Sequence, residues 1–422
     1  MWYMKADDRS LLEILSASNA QYVIPVYQRP YSWTDKQCRE LWEDIKLSGE
    51  LNHSHFLGSI LAIPQGIGAE GGSDLERLLI IDGQQRLTTL TLILQSFYEY
   101  LREHRECCQQ IGMTLGKFRT KYLYDDGYFD TDRYRLVLSA TDADTLFSIV
   151  NESPKPGNFS SLLEDNYHYF RDSMRSNDFN PRRFWNGIKN LHVIYTELIP
   201  GKDNPKLIFE SMNSKGLDLT PIDLARNYIL MSLPEQEQND LYANYWHRVE
   251  ILFGTETKDF NRFLWYWLSL KLTPQQPKES EVYEYFKHYV DTEYGESHRD
   301  DLLRDILRNA EHYARLFLGK ETDRDLRTAF HRITSLNVAP SRPLMLAIYD
   351  SYDRGSLSKA DFLGICILLE SYLFRRIVCG TKTAGLNRFF AGMYKKSPRQ
   401  LCGCHGLHQY DLVHAISAFP HR

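Results

Sequence analysis

No stretch of the chain is apolar for long enough to cross a bilayer as a helix. The start, Met1-Trp-Tyr-Met-Lys-Ala-Asp-Asp, also lacks the charged-then-apolar pattern of a secretory signal. No membrane partner is expected, and the expected location is cytoplasmic. Cysteine is sparse, seven in 422 residues. An odd number without framework spacing argues against a disulfide scaffold and for reduced thiols. A surplus of positive charge is missing too: the formal net charge is −5, which excludes a surface basic all over but not a local basic face. What is present is ample core material, 43% hydrophobic and 13% aromatic, over a length that normally makes two or three domains.

The most informative stretch runs from Leu78 to Leu94. Four uncharged apolar residues, Leu78 to Ile81, predict a short buried strand, Gly83 supplies a tight turn, and apolar residues recur at helical spacing from Leu87 through Leu101. The polar run Asp82-Gly83-Gln84-Gln85-Arg86 therefore sits on a strand-to-helix turn. There the free N–H groups of a helix start can receive an anion, and an Arg can grip one with a two-pronged fork. The alternative is that Asp82 and Gln84 merely cap the helix.

Upstream, a short helix is expected over 10–17 and a strand over 21–26. Then comes Pro25-Val-Tyr27-Gln28-Arg29-Pro30-Tyr31-Ser-Trp33, where two prolines forbid regular helix. Tyr31 and Trp33 either staple the next helix, capped by Thr34 or Asp35 with Leu41, Trp42 and Ile45 inward, or form a surface where rings and an Arg meet a base or phosphate. His55 to Ile63 reads as a strand, joined as a hairpin to the central one by a Gly-rich connector. No Gly-Lys-Ser/Thr follows that connector, which argues against a P-loop. Further strands are expected over 134–138 and 192–198, and a linker over 151–160, where two Pro and one Gly fall.

Beyond that the pattern is helical. Pro205 to Asn213 and Pro221 to Met231 are expected helices, with Gly216 as stop and Thr220 as cap. Others follow near 235–252, 258–271, 280–290, 299–318, 322–335, 341–352, 357–379 and 384–395. Phe263, Trp265, Tyr266, Trp267 and Leu268 mark a core helix. Between Ser371 and Tyr410 there is no Asp or Glu, while Arg375, Arg376, Lys382, Arg388, Lys395, Lys396 and Arg399 all lie there. This is a candidate nucleic-acid face, with a solvated or inter-domain face as the alternative. Cys402, Cys404, His405 and His408 do not complete a zinc spacing, so no metal-ligating set is assigned.

Four motifs in this order resemble the GmrSD-type N-terminal domain family: Tyr27 to Trp33, Phe56-Leu57-Gly58-Ser59, Ile81 to Leu90, and Ile208-Phe209-Glu210-Ser211-Met-Asn213-Ser214-Lys215-Gly216 continuing through Asp223, Arg226 and Asn227. The likeness returns at Glu370 to Arg376. The resemblance implies an α+β fold: a ParB/sulfiredoxin-like N-terminal domain with a small mixed sheet, over 1–150, followed by a large all-helical domain with a basic C-terminal face, over 151–422. It further implies a nucleoside-triphosphate-hydrolysing, modified-DNA-sensing part of a modification-dependent restriction enzyme acting in phage defence. Relatives in that family attack sugar-modified DNA, and SspE-like members respond to phosphorothioate DNA. A non-enzymatic, nucleotide-gated DNA-binding adaptor is the rival reading.

On that resemblance Asp82, Gln84, Gln85 and Arg86 are the expected catalytic residues, and Gly83, Gln28 and Arg29 the nucleotide-binding ones. Tyr27, Pro30 and Tyr31 would sense the modification, and Arg375, Arg376, Lys382, Arg388, Lys395 and Lys396 would hold DNA. Mg2+ is the expected cofactor, with the nucleotide as substrate. Expected partners are modified double-stranded DNA and a nuclease domain or subunit, and a homodimer stays open. Family members usually end in an HNH-type nuclease. No His-Asn-His constellation occurs in these 422 residues, so the nuclease is expected C-terminal to them or on another chain.

Overall fold

Leu78, Leu79, Ile80 and Ile81 are all buried, because the strand they form is covered on both faces and needs no polar alternation. That strand lies near the middle of a six-stranded mixed sheet. The computed structural model describes residues 5–17, 19–67, 75–199, 202–213, 219–231, 233–254, 257–272, 277–295, 297–381, 385–386 and 389–390. The strands are β1 (Lys5–Ser10), β2 (Ala20–Val23), β3 (His55–Ile67), β4 (Glu76–Asp82), β5 (Leu136–Val137) and β6 (Leu191–Glu197), in the spatial order β1-β6-β3-β4-β2-β5. The β3–β4 pair is the expected antiparallel hairpin, β1 runs antiparallel to β6, and the remaining pairs are parallel.

Three helices set the first unit around this sheet: α1 (Leu11–Leu15), α2 (Asp35–Leu51) and α3 (Gln84–Glu103). Thr34 precedes α2, and Gln37 reaches back to the Thr34 N–H at 3.0 Å. Leu41, Trp42 and Ile45 point inward from one stripe. Helix Ser161–Met174 packs on α3, and helix Pro181–Lys189 packs on α2. The latter contact is so close that a Cβ on Gly187 would lie 1.9 Å from the Ile45 carbonyl oxygen, and one on Gly49 would lie 2.1 Å from that of Arg183. Trp42, Phe97, Phe118, Phe179, Phe184 and Trp185 fill the space between with stacked and edge-on rings.

The chain divides into two compact units, 1–217 and 218–422. The boundary expected at 150/151 falls inside the first unit. Ser160 donates its backbone N–H to Thr145 Oγ1 at 2.9 Å, the helix after it packs on α3, and β6 completes the sheet. Pro and Gly at 151–160 mark a loop here, not a linker.

The described part of the second unit is helical. Its first helix, Pro221–Leu230, starts on the Thr220 cap, and its buried Arg226 is neutralised by Asp223 at 3.0 Å and Glu250 at 2.6 Å. The expected helix over 235–252 carries a π-helical turn, Tyr242–Trp246. Tyr242 and Trp246 both donate to the same Glu250. Phe263, Tyr266, Trp267 and Leu268 are core, while Trp265 is half-buried and donates its Nε1–H to the Pro277 carbonyl. Most of the helix expected over 384–395 lies outside the described residues.

Candidate functional site

Gly83 begins α3 with φ +95°, a conformation that costs a Cβ-bearing residue strain. No side chain caps the helix, so Asp82 and Gln84 do not act as caps. Helix geometry then leaves the N–H groups of the first turn without intrahelical partners, at the end of a buried strand. Asp82 and Arg86 are half-buried around this turn. Asp82 Oδ2 accepts a hydrogen bond from Ser59 Oγ at 3.2 Å, and Arg86 Nη1 donates to the Ser59 carbonyl at 2.8 Å. Among the described residues neither Arg86 nor Arg29 has a carboxylate within ion-pairing distance; the Arg86 guanidinium is anchored at the turn by the Ser59 carbonyl and remains uncompensated.

The loop of residues 25–33 is stitched to the turn by two glutamines. Gln28, buried, donates Nε2–H to the Ile81 carbonyl at 3.0 Å. Gln85, buried, accepts the N–H groups of Ser32 at 2.8 Å and Trp33 at 3.3 Å through Oε1, and donates Nε2–H to the Pro30 carbonyl at 3.4 Å. These side chains are therefore committed to holding the loop. Gln84 is buried beside them. Arg29 is half-buried, and Pro30 is exposed on the same loop.

Tyr27 and Tyr31 lie elsewhere than the sensing expectation needs. They are 1% and 5% exposed, and burial pushes both phenols far above their ordinary pKa of 10. The Tyr31 hydroxyl lies 2.7 Å from Thr89 Oγ1 and accepts from Asn166 Nδ2 at 3.2 Å, and its backbone N–H donates to Asp142 Oδ2 at 2.6 Å. Both rings are buried away from any surface a base could reach; of the pair Tyr31 and Trp33 expected to staple the next helix, Tyr31 is buried and Trp33 half-buried. Cys38, 3.6 Å from the same hydroxyl, has its thiol pushed up to about 11 by burial and is inert. Of the candidate DNA residues, Arg375 is exposed and Arg376 half-buried against the Tyr372 ring, at the end of helix Lys359–Val378. Lys382, Arg388, Lys395 and Lys396 lie outside the described residues, as do Cys402, Cys404, His405 and His408.

Sequence reasoning named Ser59 only within the Phe56-Leu57-Gly58-Ser59 motif, without a role, and passed over Asn166 and Asp142. Gly58 next to Ser59 was the available signal, since a glycine inside a strand marks a bulge or a close approach. Among the described residues no group of three or more His, Cys, Asp or Glu gathers to hold a metal by itself. Asp82 is a carboxylate at the turn, the kind of group through which Mg2+ is held together with substrate phosphates. No helix of the described residues is long and apolar enough to cross a membrane.

Compared with known families, residues 11–230 match the one described as GmrSD restriction endonuclease, N-terminal domain. The match spans the sheet from α1 onward, the turn and the loop. No curated protein matches the chain.

Proposed function

Since the chain belongs to the GmrSD restriction endonuclease N-terminal domain family, a role related to restriction and phage defence is the premise, and on it we propose that this protein binds and hydrolyses a nucleoside triphosphate at the Asp82–Arg86 turn while sensing modified DNA. The observation that carries the reading is the uncompensated Arg86 guanidinium beside a helix start with no side-chain cap. Phosphate oxygens suit such a place. Arg86 would grip them bidentately, the first-turn N–H groups would receive them, and Asp82 would orient the attacking water, so that placement and charge neutralisation supply the catalysis. Mg2+ shared between Asp82 and the phosphates would supply further neutralisation. Gln85 is a positioning residue in this scheme, because both ends of its amide hold the loop.

DNA would meet that loop at half-buried Arg29 and exposed Pro30, and the Arg375–Arg376 helix end is a separate candidate contact on the second unit. Whether sugar-modified or phosphorothioate DNA is read, the activity would control a nuclease domain or subunit. The commitment of Gln28 and Gln85 to the loop favours a second reading, a nucleotide-gated DNA-binding adaptor without turnover.

Phosphate release from a panel of nucleoside triphosphates with Mg2+, with and without unmodified and phosphorothioate duplex, separates the two. Turnover that modified DNA stimulates, and that Asp82→Ala or Arg86→Ala abolishes without loss of fold, is expected. DNA binding with no turnover under any condition would make the chain an adaptor.

A further inference from the structure

Asp82 ends β4 and Arg86 lies in the first turn of α3, on the two sides of the Gly83 turn. Here each is held by Ser59: the hydroxyl donates to Asp82 Oδ2 at 3.2 Å, and the carbonyl accepts from Arg86 Nη1 at 2.8 Å. We propose that Ser59 is the positioning residue of the site, keeping the two charges apart and aimed so that a nucleotide meets both. The proposal rests on the nucleotide reading above.

The backbone of β3 is shaped for this. Phe56 faces His192 and Ser59 faces Ile194, so β3 takes three steps where β6 takes two. On its other side β3 takes one step, Leu61 to Ala62, where β4 takes two, Asp82 to Ile80. In a regular strand the side chain stands off the sheet while the carbonyl lies within it, so the two point different ways. A bulge re-aims them. Gly58, in the first irregular stretch, has φ +108°, and a Cβ there would lie 2.9 Å from Arg86 Nη2. The guanidinium thus lies flat over a position only glycine can fill. Gly83 is fitted from the opposite side: a Cβ on it would meet Ile60 Cγ1 at 2.8 Å and the Ser59 carbonyl at 3.1 Å. Two glycines and one serine, on β3 and on the turn after β4, fix one carboxylate and one fork.

The arrangement makes the two arms separable. A guanidinium carries five N–H donors, and Ser59 engages Nη1, so the remaining donors stay available for phosphate oxygens. Ser59→Ala keeps that carbonyl and removes only the hold on Asp82. Gly58→Ala keeps the hydroxyl and displaces the guanidinium.

The test combines steady-state hydrolysis, calorimetric binding of a non-hydrolysable nucleoside triphosphate analogue, and melting temperature on the full chain. Ser59→Ala is expected to bind the analogue within about twofold of the parent and to lose about tenfold in kcat, with Ser59→Thr restoring the rate. Gly58→Ala is expected to weaken analogue binding by about tenfold. Ser59→Ala turning over like the parent, or Ser59→Thr no better than Ala at equal melting temperature, would overturn the role of the hydroxyl. Parent-like analogue binding in Gly58→Ala would overturn that of the bulge. The parent row judges the nucleotide reading separately, since a parent that neither binds nor hydrolyses any nucleotide ends that reading whatever the variants do.

Discussion

Gln85 and Ser32 are joined by a 2.8 Å hydrogen bond from the Ser32 backbone N–H to the Gln85 side-chain oxygen, across 53 positions of chain. The same oxygen takes the Trp33 N–H, so one amide satisfies two donors of a loop that prolines keep out of regular structure. Gln85→Ala should strand both donors and cost about 1–3 kcal/mol in urea unfolding. Gln85→Glu, which keeps the acceptor and loses the donor to Pro30, should recover part of it. An alanine variant as stable as the parent would show that the loop is held by packing alone.

Tyr31→Phe removes the hydroxyl between Thr89 and Asn166 and leaves the ring in place. A loss of about 0.5–1.5 kcal/mol is expected. The ratio of affinities for modified and unmodified duplex, read by fluorescence anisotropy, should not change. A shifted ratio would return this ring to the DNA interface.

Gly187→Ala must push α2 away from helix Pro181–Lys189, because the new methyl would sit 1.9 Å from a backbone carbonyl that cannot step aside. A loss beyond about 4 kcal/mol is expected. Gly157, with nothing within 4 Å of an added Cβ, supplies the contrast: Gly157→Ala should leave the thermal midpoint unchanged. Similar midpoints for the two variants would refute the close approach of the helices.

In the second unit His312 is 2% exposed, and burial holds its pKa below the ordinary 6.5, against the opposing pull of Asp353 at 3.2 Å and of Asp350. Arg308, across the same cluster, pushes the pKa further down, and the Tyr349 ring covers the imidazole. The unfolded chain then binds a proton that the folded chain refuses, so stability is full above pH 6.5 and falls as pH drops toward the folded-state value. The thermal midpoint should decline on acidification below about pH 6.5, and His312→Gln should flatten that decline. An unchanged slope in the variant would assign the acid sensitivity to other groups.

Much of this was legible in the sequence, and the exceptions share a cause. Thr34 as one of two cap candidates, Gly83 with its turn, and the Leu41, Trp42 and Ile45 stripe are local signals, and each does in the fold what its spacing implies. A tyrosine among prolines and an arginine reads alike whether its ring faces solvent or core. What buries Tyr31 includes Asn166, 135 positions later. The proline-rich loop at 151–160 looked like a boundary because composition reports local stiffness, whereas the unit is closed by strand pairings among β1, β3 and β6. The role of Ser59, named only as part of a motif, escaped for a related reason. Its role depends on a carbonyl and a hydroxyl meeting one turn, and a register irregularity leaves no residue pattern beyond a single glycine.

The strand order has a temporal side. β1 pairs only with β6 among the described strands, and the Asp8–His192 contact that pins them spans 184 positions. During synthesis the β4-β2-β5 half can assemble early, while β1 and one margin of β3 wait for a strand still unmade. At ordinary elongation rates of about 5–20 residues per second, that wait lasts many seconds. Throughout it the nascent chain presents an open β3 margin, ready to accept any extended segment that reaches it before its own arrives.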